Sequence, residues 1–304
     1  MILRNKRILL TGGFGFLGRR LAVELLKKNC SITIIDKSIP NKKNTSFVKD
    51  TEVIIGDCKN KDITDQIKHD IDFIFHFGAP SSVVLFHKHE SAKLLDTILG
   101  FFNIIQLAQK RNVEKLVYPS SGSVYGYTKP PQKETMSLNT TNLYGVGKIA
   151  CEKIASAYSN LNSVGLRIFA GYGPGEGHKK TYASPVTLFL ASMLRKKSPR
   201  VFGNGEQSRD FVYIDDVVKC IIKSAERNTP HILNIGSGKS YTFLDVIDKI
   251  NKILGSNIRP TFIQKPANYL ENTKADITLM RKYLQVYPRD LDKGLKDYLK
   301  EIHV

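Results

Sequence analysis

The chain has 304 residues, with 46 Lys and Arg against 28 Asp and Glu for a formal net charge of +18, and it is 41% hydrophobic and 24% charged. These are ordinary globular proportions, which exclude disordered, collagen-like and coiled-coil sequence, and the length fits one nucleotide-binding unit plus a smaller lobe. The basic residues are scattered, with no zinc-finger spacing or aromatic RNA signature, so the charge reads as a solvated surface and no nucleic-acid partner is expected.

Arg4, Lys6 and Arg7 run directly into the short strand-like segment Ile8-Leu9-Leu10 rather than into the apolar core of a signal peptide. The longest uncharged apolar run falls short of a membrane span, and the expectation is a cytoplasmic protein without membrane insertion. Cys30, Cys58, Cys151 and Cys220 lie far apart, in neither a metal-ligand nor a disulfide spacing. They are expected to be reduced packing residues, and no metal is expected.

In chain order, short apolar strands alternate with amphipathic helical stretches. The spacing predicts a strand at Arg7–Leu10, a helix at Leu17–Lys28, and strands at Ser31–Asp36, Glu52–Gly56 and Asp72–Phe77. A helix at Glu90–Arg111, a strand at Lys115–Pro119, a helix at Asn142–Tyr158 and a strand at Val164–Phe169 follow. Such alternation predicts an α/β fold, a doubly wound parallel sheet covered by helices on both faces.

After Phe169 a Gly/Pro-rich stretch, Ala170–Gly177, marks a change of lobe, and an apolar helical segment near Val186–Leu194 comes next. Phe211–Ile214 and His231–Ile235 are predicted to return the chain to the sheet. Thr242-Phe-Leu-Asp245 reads as a cap opening a helix that Gly255 ends. The nucleotide-binding lobe is therefore expected over 1–169 with about 210–236, and a discontinuous smaller lobe over about 170–209 and 237–304.

Gly12, Gly15 and Gly18 stand at the first, fourth and seventh places of Gly-x-x-Gly-x-x-Gly, between a strand and a helix. Glycine there permits a tight turn, lets backbone N–H groups approach a pyrophosphate, and allows close packing of a helix whose positive dipole end faces the anion. The next strand ends at Asp36, 18 residues after Gly18, where a carboxylate can bond an adenosine ribose. That carboxylate would repel a 2′-phosphate, so NAD is favoured over NADP. Asp57, at the end of the third strand, reads either as an adenine contact or as a solvated loop acid.

Tyr144 and Lys148 are spaced i, i+4 and share a helix face. Ser120-Ser121-Gly122-Ser123 follows the strand Lys115–Pro119, at the strand end where open α/β sheets place their ligands. A phenol has a pKa near 10, and bringing it to about 7 takes roughly 4 kcal/mol. A cation about 4 Å away at an effective dielectric of about 20 supplies that much. Lys148 could thus activate Tyr144 to remove a hydroxyl proton, with Ser121 holding the hydroxyl.

These motifs, with Gly56-Asp57, His76-Phe-Gly-Ala79, Arg167–Gly175, Arg209–Asp216 and Asn234–Gly238, run in the order found in the NAD-dependent nucleotide-sugar epimerase/dehydratase family of extended short-chain dehydrogenases. The chain closely resembles that family over nearly its whole length, and most of all its 4-epimerases. The resemblance implies a Rossmann-type NAD lobe, a smaller lobe gripping a nucleotide-diphosphate sugar, and a homodimer joined through Glu90–Arg111 and Asn142–Tyr158. It implies catalytic roles for Ser121, Tyr144 and Lys148. Cofactor contacts would come from Gly12, Phe14, Gly15, Phe16, Leu17, Gly18, Asp36 and Asp57 together with Tyr144 and Lys148, and substrate contacts from Ser81, Ser123 and Arg209.

Dehydratases of the family carry an Asp-Glu pair after the catalytic hydroxyl residue, and decarboxylating relatives a glutamate; here Gly122 and Ser123 stand there. The resemblance therefore points to C4 epimerisation of a UDP-hexose through a 4-keto sugar. The alternatives are a 4-keto reductase or a dehydratase, and, in another class, a non-catalytic NAD- or RNA-binding scaffold. The chain departs from the family at Thr97 and Ala170, where asparagine is usual, and in Pro266-Ala-Asn-Tyr-Leu-Glu, which lacks an arginine.

Overall fold

The computed structural model describes residues 2–37, 46–83, 86, 90–265 and 269–303. Positions 266–268, in the segment that lacks the arginine, and the side chain of His178 lie outside the described residues.

The first half alternates strand and helix: β1 (Arg7–Thr11), α1 (Phe16–Leu26), β2 (Ser31–Asp36), β3 (Thr51–Ile55), α2 (Lys61–Asp65), β4 (Phe73–His76), α3 (Glu90–Lys110), β5 (Lys115–Ser121), α4 (Leu143–Ala157) and β6 (Ser163–Ile168). Then come β7 (Ala170–Tyr172), α5 (Pro185–Leu194), β8 (Arg200–Phe202), β9 (Ser208–Arg209), β10 (Phe211–Tyr213), α6 (Ile214–Glu226) and β11 (Ile232–Ile235). The chain ends in β12 (Tyr241–Thr242), α7 (Phe243–Leu254), β13 (Thr261–Ile263), α8 (Thr278–Leu284) and α9 (Leu291–Glu301).

Seven strands form one sheet in the order β11-β6-β5-β4-β1-β2-β3. The pairs from β5 through to β3 are parallel, with Leu10 opposite both Ile34 and Phe75. This is the Rossmann-type doubly wound sheet. Strand order reverses between β1 and β4, and ligands of such sheets bind at the carboxyl ends of the strands beside that switch point. Four consecutive residues of β1 and all four of β4 are buried, because helices cover both faces. The core on one face joins Leu9, Ile74 and Leu116 of the sheet to Phe101, Ile104 and Ile105 of α3 and Cys151 of α4.

β5 runs two residues further than its sequence suggests, through Pro119 to Ser121. The β4–β5 pairing ends at Phe75↔Val117, so the proline's missing N–H costs no rung there.

Helix α3 is, among the described residues, the one helix long and apolar enough to cross a membrane. Its buried positions include Phe101, Ile104, Ile105, Leu107 and Ala108, all in the core just described.

The chain divides into two compact units, one of residues 1–124, 142–167 and 218–233 and the other of 125–141, 168–217 and 234–304. Positions 125–141, 168–169, 210–217 and 234–236, expected in the nucleotide-binding lobe, group with the second unit.

The expectation that Phe211–Ile214 rejoins the large sheet is corrected. β10 pairs in parallel with β7 in a separate two-stranded sheet, Phe211↔Ala170 through Tyr213↔Tyr172. All three of its side chains are buried in an aromatic cluster of the second unit, where Tyr172 meets Tyr213 edge-on at 5.5 Å and Phe211 neighbours Phe243. Alternating apolar sequence specifies burial, and here a local partner supplies it. In the same unit Thr242 and Asp245 form the capping box of α7, and Gly255 closes that helix in the left-handed conformation.

Candidate active site

The glycine loop follows β1 directly. Gly12 has φ +69°, and a Cβ there would meet the Phe77 carbonyl oxygen at 2.5 Å. At Gly18 a Cβ would meet the Gly12 carbonyl oxygen at 2.0 Å, so the first turn of α1 lies directly on the loop. Gly15 is the N-cap of α1, provides no side-chain cap, and donates its N–H to the Gly12 carbonyl. Phe16 and Leu17 begin the helix, Phe16 buried and Leu17 half-buried. Asp36 ends β2 and accepts the Phe14 N–H on Oδ2 at 2.9 Å, which leaves Oδ1 for another donor.

Asp57 is engaged on the protein itself. Lys37 Nζ lies 2.8 Å from its Oδ2, Lys59 Nζ 3.8 Å away, and the Lys59 N–H donates to Oδ1. The two lysines hold its carboxyl below the usual aspartate range against the burial that raises it.

Ser121, the last residue of β5, is buried and accepts the Ser123 N–H at 3.1 Å. Tyr144 and Lys148 lie on the buried face of α4, whose N-cap Asn142 accepts the Gly145 N–H. Lys148 Nζ is 5.6 Å from the centre of the Tyr144 ring. Burial pushes the Tyr144 phenol up, and the Ser121 hydroxyl pulls it back. Burial pushes the Lys148 ammonium down. In both groups burial disfavours the charged form, and the Ser121 hydroxyl works against it at Tyr144. Ser123 Oγ is buried with no hydrogen-bond partner among the described residues, an acceptor and donor left for a ligand. Ser81, five residues past β4, is exposed.

Arg209 belongs to the second unit and lies in β9. Its guanidinium donates to the carbonyls of Ser208, Leu270 and Glu271 and stacks on Tyr269 at 5.1 Å and Phe243 at 5.7 Å. It is thus a rigid fork rather than a mobile surface charge. Lys179 is tied to Glu176, and Lys180 is exposed.

Sequence comparison decides the family. Residues 8–236 match the NAD dependent epimerase/dehydratase family. The chain belongs to that family. A putative UDP-glucose 4-epimerase of Methanocaldococcus jannaschii is 31% identical over 254 residues, 82% of each chain. Among solved structures, UDP-N-acetylglucosamine 4-epimerase from Methanobrevibacter ruminantium in complex with UDP-N-acetylmuramic acid superimposes with a TM-score of 0.91 at 26% identity, covering 99% of both chains. UDP-glucuronic acid 4-epimerase from Bacillus cereus, in complex with UDP-glucuronic acid and NAD, gives 0.85 at 27% identity, covering 97% of this chain and 99% of the other.

The protein is thus an NAD-dependent enzyme, and its loop geometry fits that cofactor. The backbone of Gly12–Gly18 and the uncapped start of α1 could hold a pyrophosphate, and Asp36 Oδ1 a ribose hydroxyl.

Several residues near this family member's catalytic candidates had drawn no assigned role from the sequence. His76, at the end of β4, is buried, with Nδ1 2.8 Å from Thr11 Oγ1, and burial with the Lys148 charge lowers its pKa to about 3. It is a neutral ring beside a lysine. The Thr11 hydroxyl also accepts the Gly78 N–H, tying β1 to the turn after β4. Ser120, Glu152 and Arg167 form a second buried cluster. The signal for Glu152 was its i+8 spacing from Tyr144, which puts an acid on the apolar face of α4. Of the departures, Thr97 donates its hydroxyl to the Lys93 carbonyl within α3, and the Ala170 N–H donates to the Asp210 carbonyl.

Proposed function

We propose that the enzyme interconverts C4 epimers of a UDP-hexose, by transient oxidation to a 4-keto sugar and re-reduction on the opposite face. The observation that carries this reading is the pairing of buried Ser121 at the end of β5, and Tyr144 with Lys148 5.6 Å from its ring centre on α4, with Gly122 and Ser123 where an elimination or decarboxylation chemistry would need an acid. The named activities of the similar proteins support the same class of substrate.

NAD, which Gly12–Gly18 and Asp36 would hold, would supply the acceptor and donor for the C4 hydride. Tyr144, as phenolate, takes the O4 proton as the C4–H bond breaks, so the sugar loses one hydride and one proton and becomes a ketone. Lys148 stabilises the phenolate, and Ser121 holds the O4 oxygen. After the sugar turns over, the same tyrosine gives the proton back to O4. Ser123 and Ser81 contact the sugar, while Arg209 grips the diphosphate with the N–H groups not spent on main-chain carbonyls. Asp36 selects NAD by repelling a 2′-phosphate.

The enzyme works in the cytoplasm as a homodimer. Leu95 and Leu99 of α3 and Val146 of α4 are exposed apolar side chains on the two helices that would pair with those of a second copy.

The test is incubation of the purified protein, without added cofactor, with UDP-, GDP-, CDP- and dTDP-hexoses, followed by NMR. Interconversion of 4-epimers with no net change in nicotinamide absorbance is the expected result. Turnover only when NADH and a 4-keto substrate are supplied would replace the epimerase by a reductase.

A further inference from the structure

The catalytic reading leaves a buried ion pair unused. Arg167, on β6, donates Nε to Glu152 Oε1 at 2.9 Å and Nη2 to Oε2 at 2.7 Å, and Ser120 Oγ donates to Oε1 at 2.5 Å. All three residues are buried. A buried pair of this kind gains little stability over apolar side chains of the same volume, so stability alone does not account for it.

Its position does. Ser120 immediately precedes Ser121 at the end of β5, and Glu152 follows Tyr144 and Lys148 at successive four-residue steps on one face of α4. The Ser120–Glu152 hydrogen bond therefore joins the same two elements whose separation decides whether Ser121 reaches Tyr144. Arg167 grips both carboxylate oxygens, which fixes the plane of the carboxylate and so the direction from which Ser120 can approach it.

We propose that Glu152, clamped by Arg167, is a positioning residue that locks the end of β5 to α4 through Ser120 and thereby holds Ser121 in register with Tyr144. The inference rests on the catalytic reading of Ser121 and Tyr144. Displacement of a catalytic group by about 1 Å can cost about 100-fold in rate, which is the scale on which such a lock acts.

Ser120→Ala tests it, because the substitution leaves the Glu152–Arg167 pair intact and removes only the hydroxyl that joins it to β5. The expected result is a kcat lowered by about 10- to 100-fold with KM and NAD affinity unchanged, beside a modest fall in thermal midpoint from the lost buried hydrogen bond. Ser120→Thr, which restores a hydroxyl, recovers most of the loss. The acid limb of the kcat–pH profile of Ser120→Ala also moves to higher pH, because the Ser121 hydroxyl that draws the Tyr144 phenol down is no longer held against it. The titratable groups around these residues are Lys148 beside Tyr144, with His76 of β4 next to Lys148, and Tyr118 of β5 and Cys151 of α4 beside the Glu152–Arg167 pair; the substitution removes none of them.

A kcat for Ser120→Ala within about twofold of the parent overturns the proposal, as does a loss shared equally by NAD affinity and not recovered by threonine. Tyr144→Phe, measured alongside, separates the two readings. Full turnover in Tyr144→Phe removes the catalytic assignment and the proposal with it. A dead Tyr144→Phe beside a normal Ser120→Ala removes the positioning role alone.

Discussion

Two buried carboxylates, Glu152 in the first unit and Asp210 in the second, are held by opposite means. Glu152, in the first unit, is matched by the cation of Arg167 and one hydroxyl. Asp210, in the second, has no cationic partner in its hydrogen-bond set and accepts the Ser237 N–H and hydroxyl and the N–H groups of Gly238 and Ala275 at 2.6–3.0 Å. Burial pushes the Asp210 carboxyl up, and those four donors pull against it. The lesson is a division of labour. Glu152 is placed beside groups that move protons, whereas Asp210 gathers three stretches of chain, 210, 237–238 and 275, around the residue next to Arg209.

If that division is right, the largest effect belongs to the first unit. Tyr144→Phe is expected to lower turnover by about 100- to 10,000-fold while NAD affinity, read by titration, stays at the parent value. Arg167→Met comes next, since it strands the Glu152 charge; it should cost about 3–5 kcal/mol of unfolding free energy in chemical denaturation, and Glu152→Met combined with Arg167→Met should cost much less. Recovery in the double variant is the signature of a paired charge. Asp210→Asn should cost about 1–3 kcal/mol without any such rescue partner, because its amide group would point N–H at N–H toward Gly238 or Ala275. The same variant should weaken UDP binding and leave NAD binding alone.

The smallest effect lies at Lys115, buried at the start of β5 with Nζ donating to the Arg227 carbonyl at 2.7 Å. Burial lowers its pKa to about 8, below the ordinary lysine value. The unfolded chain then binds more protons than the folded one between about pH 8 and 10.5, so the lysine's penalty is full below that window and disappears as pH rises through it. Lys115→Met should therefore compare best with the parent at pH 7 and lose ground by pH 10 in paired denaturation curves.

Local patterns carried much of the fold. The capping box Thr242/Asp245 with the Gly255 stop, the glycine loop and the strand ending at Asp36 were all legible, because each depends on residues close in sequence with fixed backbone demands. Phe211–Tyr213 was misplaced because apolar alternation gives the need for burial but not the partner, and β7 lay nearer to hand than the large sheet. The Glu152–Arg167–Ser120 cluster escaped because its members come from three different elements and meet only once β5, α4 and β6 are assembled. Asp57 could not be resolved from sequence because its lysine partners, Lys37 and Lys59, approach it through side-chain geometry alone.

The central claim, oxidation and re-reduction at one sugar carbon with the hydrogen retained by the enzyme, is tested most directly by epimerisation in deuterium oxide followed by NMR of both 4-epimers. Hydride transfer predicts C4 protium in both epimers after many turnovers. Deuterium appearing at C4 at the rate of epimerisation would mean exchange of that hydrogen with solvent as a proton and would contradict the account.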